Sequence, residues 1–175
     1  MSYRDKEAFL AEFGAVYEQS PWVADGVFAD KEPGGVTRDA EDSPTLSADI
    51  LAARFESVFM NAPAERQLKV LRAHPELGCA RAESGLLTAD SRQEQSAAGL
   101  DQCSVSEFNM FREMNDKYND KYGFPFIIAV KGRNRREILE VFAERLNNTE
   151  ETEFQTALRQ VCQIARFRIG GILGD

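Results

Sequence analysis

Hydrophobic residues recur at helical spacing along almost the whole chain, and only one stretch has the composition of a strand. That stretch, residues 124–130, is short, continuous, apolar and rich in β-branched residues, which is typical of a buried strand. A single strand would have no partner, so the alternative is a buried extended segment whose backbone N–H groups need other partners, such as a ligand. The patterns together predict an all-α, compact single domain spanning residues 1–175, with about seven to nine helices.

Capping residues and helix breakers predict where the helices begin and end. The predicted N-terminal caps are Ser2, Thr45 or Ser47, Thr88 or Ser91, Ser104, Asn134 and Thr149. The predicted C-terminal ends lie before Pro21, at His74, at Gly99, at Gly123 and at Gly170-Gly171. Residues 30–44 are expected to be irregular, and a lid over a site would have the same composition.

Composition excludes several classes of function. A net charge of −8 disfavours nucleic acid and anionic membrane surfaces as partners, since both require a basic footprint. No apolar run approaches the roughly 18 residues of a membrane span. The three cysteines (Cys79, Cys103 and Cys162) have no CxxC spacing, and there is one histidine, so neither a disulfide framework nor a metal site is expected. We expect a reduced, soluble, cytoplasmic protein.

The strongest chemical signal runs from His74 to Gln95. His74 is the only side chain whose ordinary pKa allows proton exchange near neutrality, and Pro75 should end the preceding helix there. Ser91, Glu94 and Gln95 stand at i, i+3 and i+4, which places a hydroxyl, a carboxylate and a carboxamide on one helix face. Two structural alternatives remain, because a histidine at a helix end also acts as a cap and Ser-x-x-Glu is also a capping box.

With these residues, the sequence resembles the OHCU decarboxylase family, which acts on 2-oxo-4-hydroxy-4-carboxy-5-ureidoimidazoline (OHCU) in urate breakdown. The motifs that carry the resemblance are His-Pro-Glu-Leu-Gly at 74–78, Leu-Thr-Ala-Asp-Ser-Arg-Gln-Glu-Gln-Ser-Ala-Ala-Gly-Leu at 87–100, Phe-Arg-Glu-Met-Asn at 111–115, and the stretch 118–130. The resemblance covers essentially the whole chain, and the joint occurrence of the motifs is much more specific than any one.

The resemblance implies a compact all-helical fold, usually dimeric, and loss of CO2 without a cofactor to give (S)-allantoin. It implies that His74 and Glu94 are catalytic. The positions it implies for substrate contact are Pro75, Ser91, Gln95, Phe126, Ile127, Ile128, Ala129 and Val130. Animal members often end in a peroxisomal signal that this sequence lacks, which favours a bacterial-type cytoplasmic enzyme as the expectation.

Some assignments stay open at the level of sequence. Arg92, Lys131 and Arg166 are cationic candidates for the substrate carboxylate, although solvated surface charge explains each equally well. The alternatives to the decarboxylase are a non-enzymatic helical interaction module, or a lyase or hydrolase acting on another ureide. The decarboxylase interpretation predicts that His74 and Glu94 face one small cavity.

Overall fold

The computed structural model describes residues 5–29, 47–78 and 89–174, and in these residues all the regular structure is helical. The α-helices are α1 (Lys6–Phe13), α2 (Trp22–Ala29), α3 (Ala48–Met60), α4 (Ala64–Ala73), α5 (Ala89–Ala97), α6 (Val105–Tyr122), α7 (Arg135–Arg145) and α8 (Glu150–Leu173). A short 3-10 helix, Leu100–Gln102, lies between α5 and α6. The all-α prediction is confirmed.

Several predicted helix ends are confirmed by their capping contacts. The Ser47 hydroxyl accepts from the backbone N–H of Ile50 at 3.3 Å. Ser104 and Asn134 each form a full capping box with a glutamate three residues later. The Thr149 hydroxyl accepts from the N–H of Thr152 at 3.2 Å. Gly99 and Gly123 have φ values of 73° and 72°, the left-handed conformation that favours glycine just after a helix.

Three predicted helix ends are wrong, namely the start of α1, the end of α1 and the end of α8. Asp5, not Ser2, caps α1 and accepts from Glu7, and the helix stops at Phe13, short of the predicted end. Of the two caps predicted for α5, Ser91 lies inside the helix, which begins at Ala89, so the Ser-x-x-Glu pattern is not a capping box. The other predicted cap, Thr88, lies outside the described residues. Gly170-Gly171 does not end α8, because two glycines weaken a helix by only about 1 kcal/mol each and buried residues such as Ile169 hold it.

The predictions for Thr45, Thr88, Cys79 and residues 30–44 fall on positions outside the described residues. Among the described cysteines, Cys162 is a free, buried thiol, whereas Cys103 is disulfide-bonded. The expectation of reduced cysteines is therefore wrong for Cys103. Sequence spacing gave no signal for this bond, since pairing depends on which residues meet in space.

The first compact unit comprises Met1–Ala73 and Val161–Asp175, and an aromatic cluster forms its core. Phe9, Phe13, Tyr17, Phe55 and Phe59 are all buried, and their neighbouring rings lie 4.9 to 6.2 Å apart. This burial of apolar and aromatic surface is the main source of stability in the unit.

The second unit, His74–Gln160, contains the residues of the His74 to Gln95 signal and the apolar segment 124–130. Every residue from Phe124 to Val130 is buried, and the segment from Pro125 to Val130 lies in neither helix nor strand. The strand interpretation of this segment is wrong, because the described residues contain no strand with which it could pair. The interpretation as one domain over residues 1–175 stays a prediction.

Candidate active site

His74 follows directly on the last residue of α4 and is 9% exposed. Pro75 comes next, and its ring prevents the helix from continuing through His74. The sequence prediction of a histidine at a helix end is confirmed. An imidazole so placed is largely shielded from bulk water, which suits a group that transfers a proton to a bound ligand.

Three carboxamide side chains hold the segment 74–78 after His74. From α6, Asn115 Nδ2 donates to the Leu77 carbonyl at 2.8 Å, and Asn119 Nδ2 donates to Glu76 Oε1 at 2.6 Å. From α5, Gln95 Nε2 donates to the Glu76 carbonyl at 3.4 Å. The bonds from Asn115 and Gln95 reach backbone carbonyls two and three residues after His74, so they fix the path of the chain that carries the imidazole. The bond from Asn119 reaches only the Glu76 side chain.

The spacing predicts that Ser91, Glu94 and Gln95 share one face of α5, and in the structure this face is turned inward. Ser91 and Gln95 are buried, and Glu94 is half-buried. Arg92 is exposed, since neighbouring residues on an α-helix point about 100° apart. Through Gln95, the structure brings this face to the His74 segment, whereas the Arg92 side chain lies on the outer side of the helix.

Two buried amide oxygens near this segment are left for a ligand. Gln95 Oε1 and Asn115 Oδ1 are shielded from solvent, and neither accepts a hydrogen bond from any group in the described part of the protein. Buried acceptors normally have a partner, and an unmet one costs free energy. Both side chains donate hydrogen bonds from their N–H groups to the 74–78 segment, so their oxygens are suited to accept from N–H donors of a bound molecule.

The segment from Phe126 to Val130 is held by side chains instead of a strand partner. Arg145 Nη1 donates to the Ile127 carbonyl at 2.7 Å, and the Ala129 N–H donates to Gln160 Oε1 at 2.9 Å. The ring of Phe126 stacks on Phe142 with centroids 3.7 Å apart. Ile128, a buried residue, lies between these two anchors, and within the described ranges its N–H group donates no hydrogen bond.

A buried charged cluster lies behind this segment, and sequence reasoning missed it. Arg145 donates to Glu153 Oε1 from Nε at 2.8 Å and from Nη2 at 2.5 Å, and the Tyr118 hydroxyl donates to the same oxygen. Burial raises the pKa of Tyr118 well above its ordinary value, so the hydroxyl stays protonated and remains a donor. Nothing in the sequence spacing links Tyr118 to the charges on α7 and α8.

The other cationic candidates occupy different surroundings. In the first unit, Arg166 Nη1 lies 2.7 Å from Asp49 Oδ1 and Nη2 lies 3.7 Å from Glu56 Oε2, so its charge is already balanced by two carboxylates. Lys131 is exposed at the turn that follows Val130.

Across residues 5–29, 47–78 and 89–174, no three His, Cys, Asp or Glu side chains are placed to hold a metal ion. No helix in those ranges is both long and apolar enough to cross a bilayer.

Comparison with known sequences decides the family. A sequence model of OHCU decarboxylase matches residues 3–170. The chain belongs to the OHCU decarboxylase family. A relative from Halalkalicoccus jeotgali, the 2-oxo-4-hydroxy-4-carboxy-5-ureidoimidazoline decarboxylase, is 37% identical over 169 residues, covering 97% of this chain and 87% of the relative. Family membership identifies a carboxy-lyase, and not a non-enzymatic helical interaction module.

Solved structures support the same fold. A crystal structure of (S)-allantoin synthase matches with a TM-score of 0.72 and 26% identity, over 96% of this chain and 50% of that one. A crystal structure of OHCU decarboxylase in the presence of (S)-allantoin matches with a TM-score of 0.70 over 98% of this chain and 99% of that one. At 23% identity the second match bears on the fold alone.

Proposed function

We infer that this protein decarboxylates OHCU to (S)-allantoin in urate degradation. The observation that carries the inference is a single buried histidine, His74, on a segment fixed by three carboxamides, in a chain that a decarboxylase family model matches from residue 3 to residue 170. The substrate is a polar ureide, and the two unsatisfied amide oxygens match its N–H groups.

The reaction needs little from the protein beyond orientation and one proton. When the bond between the ring carbon and the carboxylate breaks, CO2 leaves and the electron pair is accepted by the adjacent ring C=N. The hydroxyl on that carbon then gives up its proton and becomes the ring carbonyl, while a proton is added to one face of the neighbouring ureido-bearing carbon, which sets the configuration of the product. Because the substrate supplies its own electron acceptor, we propose that no cofactor takes part.

We propose that His74 transfers the proton at the reacting carbon or its hydroxyl. Its place after α4, ahead of Pro75 and the carboxamide-held segment, supports this role, because a proton donor must be held in one orientation to act on one face. General acid–base catalysis of this kind contributes a factor of about 10² to 10⁴ in rate. Glu94 would bind the ureido N–H groups, the ring N–H or the hydroxyl, and so fix which face of the ring meets His74.

The remaining polar contacts are proposed for the α5 face and the segment 126–130. Ser91 and Gln95 are buried residues of the same face of α5, and Gln95, which contacts the Glu76 carbonyl, has Oε1 as an available acceptor. The N–H of Ile128 is an available donor among buried apolar residues, which suits a carbonyl or carboxylate oxygen of the substrate. Pro75 would contact the substrate through its ring. Arg92 remains a proposal for the carboxylate, but its exposed position on α5 supports it less than the others.

We further propose a homodimer in the cytoplasm, as the family resemblance implies. The dimer is testable by light scattering of the purified protein, and a monomer at micromolar concentration would exclude it.

The residue roles are testable by kinetics. His74→Ala should lower kcat by a factor of about 10² to 10⁴, and Glu94→Gln should lower kcat and stereochemical purity together.

Gln93→Ala is the matched control for the kinetic test, because Gln93 is exposed on the same helix. It should leave kcat and KM unchanged. If His74→Ala folds normally and turns over at the native rate, the assignment of proton transfer to His74 is wrong.

A further inference from the structure

Arg145 joins a buried carboxylate to the backbone of the segment 126–130. One edge of its guanidinium donates twice to Glu153 Oε1, at 2.8 and 2.5 Å. The remaining nitrogen, Nη1, donates to the Ile127 carbonyl at 2.7 Å. The guanidinium carbon also lies 4.5 Å from the centroid of the Phe126 ring. A single side chain therefore contacts two consecutive residues of the segment.

Glu153 holds Arg145 in one orientation. It is 0% exposed, and its two oxygens accept from three different side chains. Oε1 accepts from Arg145 and from the Tyr118 hydroxyl, and Oε2 accepts from Asn148 Nδ2 at 2.7 Å. With its acceptors occupied from several directions, the carboxylate has no freedom to turn, and neither does the guanidinium bound to it.

The cluster also packs against the ring of Phe126. Tyr118 meets that ring edge to face at 5.3 Å, and Phe142 stacks on it at 3.7 Å. The position of the Phe126 ring is therefore set by Tyr118, Phe142 and Arg145, and the position of the next carbonyl is set by Arg145. In a segment without a strand partner, such side-chain contacts are what determine where the backbone lies.

The two backbone anchors flank Ile128. Arg145 holds the carbonyl of Ile127, and Gln160 holds the N–H of Ala129 at 2.9 Å. Between them, the N–H of the buried residue Ile128 donates no hydrogen bond in the described part of the protein. A buried ion pair is about neutral for stability when compared with well-packed apolar residues, so stability alone does not account for this arrangement.

We propose that Arg145 is a positioning residue that aims the backbone N–H of Ile128 at an oxygen of the substrate. This inference rests on the proposed function, in which the segment 126–130 contacts the substrate. Arg145, held by Glu153 and Tyr118, would then support substrate binding indirectly. None of these three buried side chains would touch the substrate.

The test is the variant Arg145→Lys. Lysine keeps the positive charge beside Glu153, but its single ammonium group cannot donate to the Glu153 carboxylate and the Ile127 carbonyl in the geometry of the planar guanidinium. We expect KM to rise about tenfold while kcat changes by less than about threefold, because a contact made to substrate and transition state alike is weakened. Arg136→Lys is the matched control, since Arg136 is an exposed residue of α7 paired with Glu140.

A second readout separates positioning from general loss of stability. In the wild-type protein, titration with (S)-allantoin should shift the amide resonance of Ile128, and in Arg145→Lys this shift should be reduced at equal saturation. Unchanged KM together with an unchanged Ile128 shift in the folded variant would overturn the proposal. If Arg145→Lys does not fold, Tyr118→Phe takes its place, with about a threefold rise in KM expected and an unchanged KM overturning the proposal.

The outcome for the wild type distinguishes this inference from the proposed function. An active wild-type enzyme with an unaffected Arg145→Lys variant refutes the role of Arg145 alone. A wild-type protein that does not turn over OHCU refutes the proposed function, and the positioning role with it.

Discussion

Asn115 offers the most informative test of how the His74 segment is held. In Asn115→Leu the side chain keeps a similar volume but loses the Nδ2 donor that meets the Leu77 carbonyl at 2.8 Å. The carbonyl is then left without that partner in a buried place, which costs about 1 to 3 kcal/mol of the free energy of unfolding. The Oδ1 acceptor, which has no partner within the described ranges, is lost without a corresponding cost.

The same variant should impair catalysis. Leu77 lies three residues after His74, so a looser carbonyl allows the imidazole to move relative to the substrate. A misplacement of about 1 Å can lower the rate roughly 100-fold, and we expect kcat of Asn115→Leu to fall by a factor of about 10 to 100. Urea unfolding measures the stability effect, and the initial rate of optically active product formation measures the catalytic one.

Asn119→Ala is the control for this experiment. Asn119 also contacts the segment, but its partner is the Glu76 side chain at 2.6 Å and the bond is exposed. Exposed polar contacts contribute about 1 kcal/mol or less, so stability and kcat should change little. If the two variants lose equal stability, or if Asn115→Leu unfolds at the wild-type urea concentration, the reasoning about a buried clamp on Leu77 is refuted.

Three further predictions concern stability. Ser104→Ala removes the capping box of α6 and should lower the free energy of unfolding by about 1 kcal/mol, and an unchanged thermal midpoint would contradict it. Burial raises the pKa of the Cys162 thiol from 9.0 to about 11. The free energy of unfolding that this raised pKa contributes is therefore complete below pH 9 and is lost as the pH rises through 11. Urea unfolding of the wild type and of Cys162→Ala over this pH range should show that only the wild type loses this contribution. Gly26→Ala would place a Cβ 2.7 Å from Val58 Cγ1, which should destabilise the protein by about 1 to 3 kcal/mol, with part of the loss recovered by adding Val58→Ala.

The helices and most of their caps could be predicted because their determinants are local. Ser104 and Asn134 each stand three residues before a glutamate, and the structure shows both capping boxes. The errors arose where two local signals competed. Asp5 and Ser2 are both good caps, and a pair of glycines such as Gly170-Gly171 ends a helix only when packing does not hold the turns that follow.

In the candidate site, too, the features with local determinants could be predicted and those that depend on tertiary packing could not. The position of His74 at the end of α4 follows from Pro75, and the shared face of Ser91, Glu94 and Gln95 on α5 follows from the i, i+3, i+4 spacing. The Arg145 and Glu153 pair could not be predicted in this way. The two residues lie on different helices, and each taken alone has the sequence context of an ordinary charged residue near a helix end. Their pairing depends on tertiary packing, as does the hydrogen bond from Asn115 to Leu77.

The most direct test of the proposed function follows the configuration of the product. OHCU is generated in place from urate with urate oxidase and hydroxyisourate hydrolase, this protein is added, and circular dichroism is recorded with time. The account predicts a rapid signal with the sign of (S)-allantoin that is absent when His74→Ala replaces the wild type. A slow reaction that gives only racemic product with the wild-type protein would contradict it.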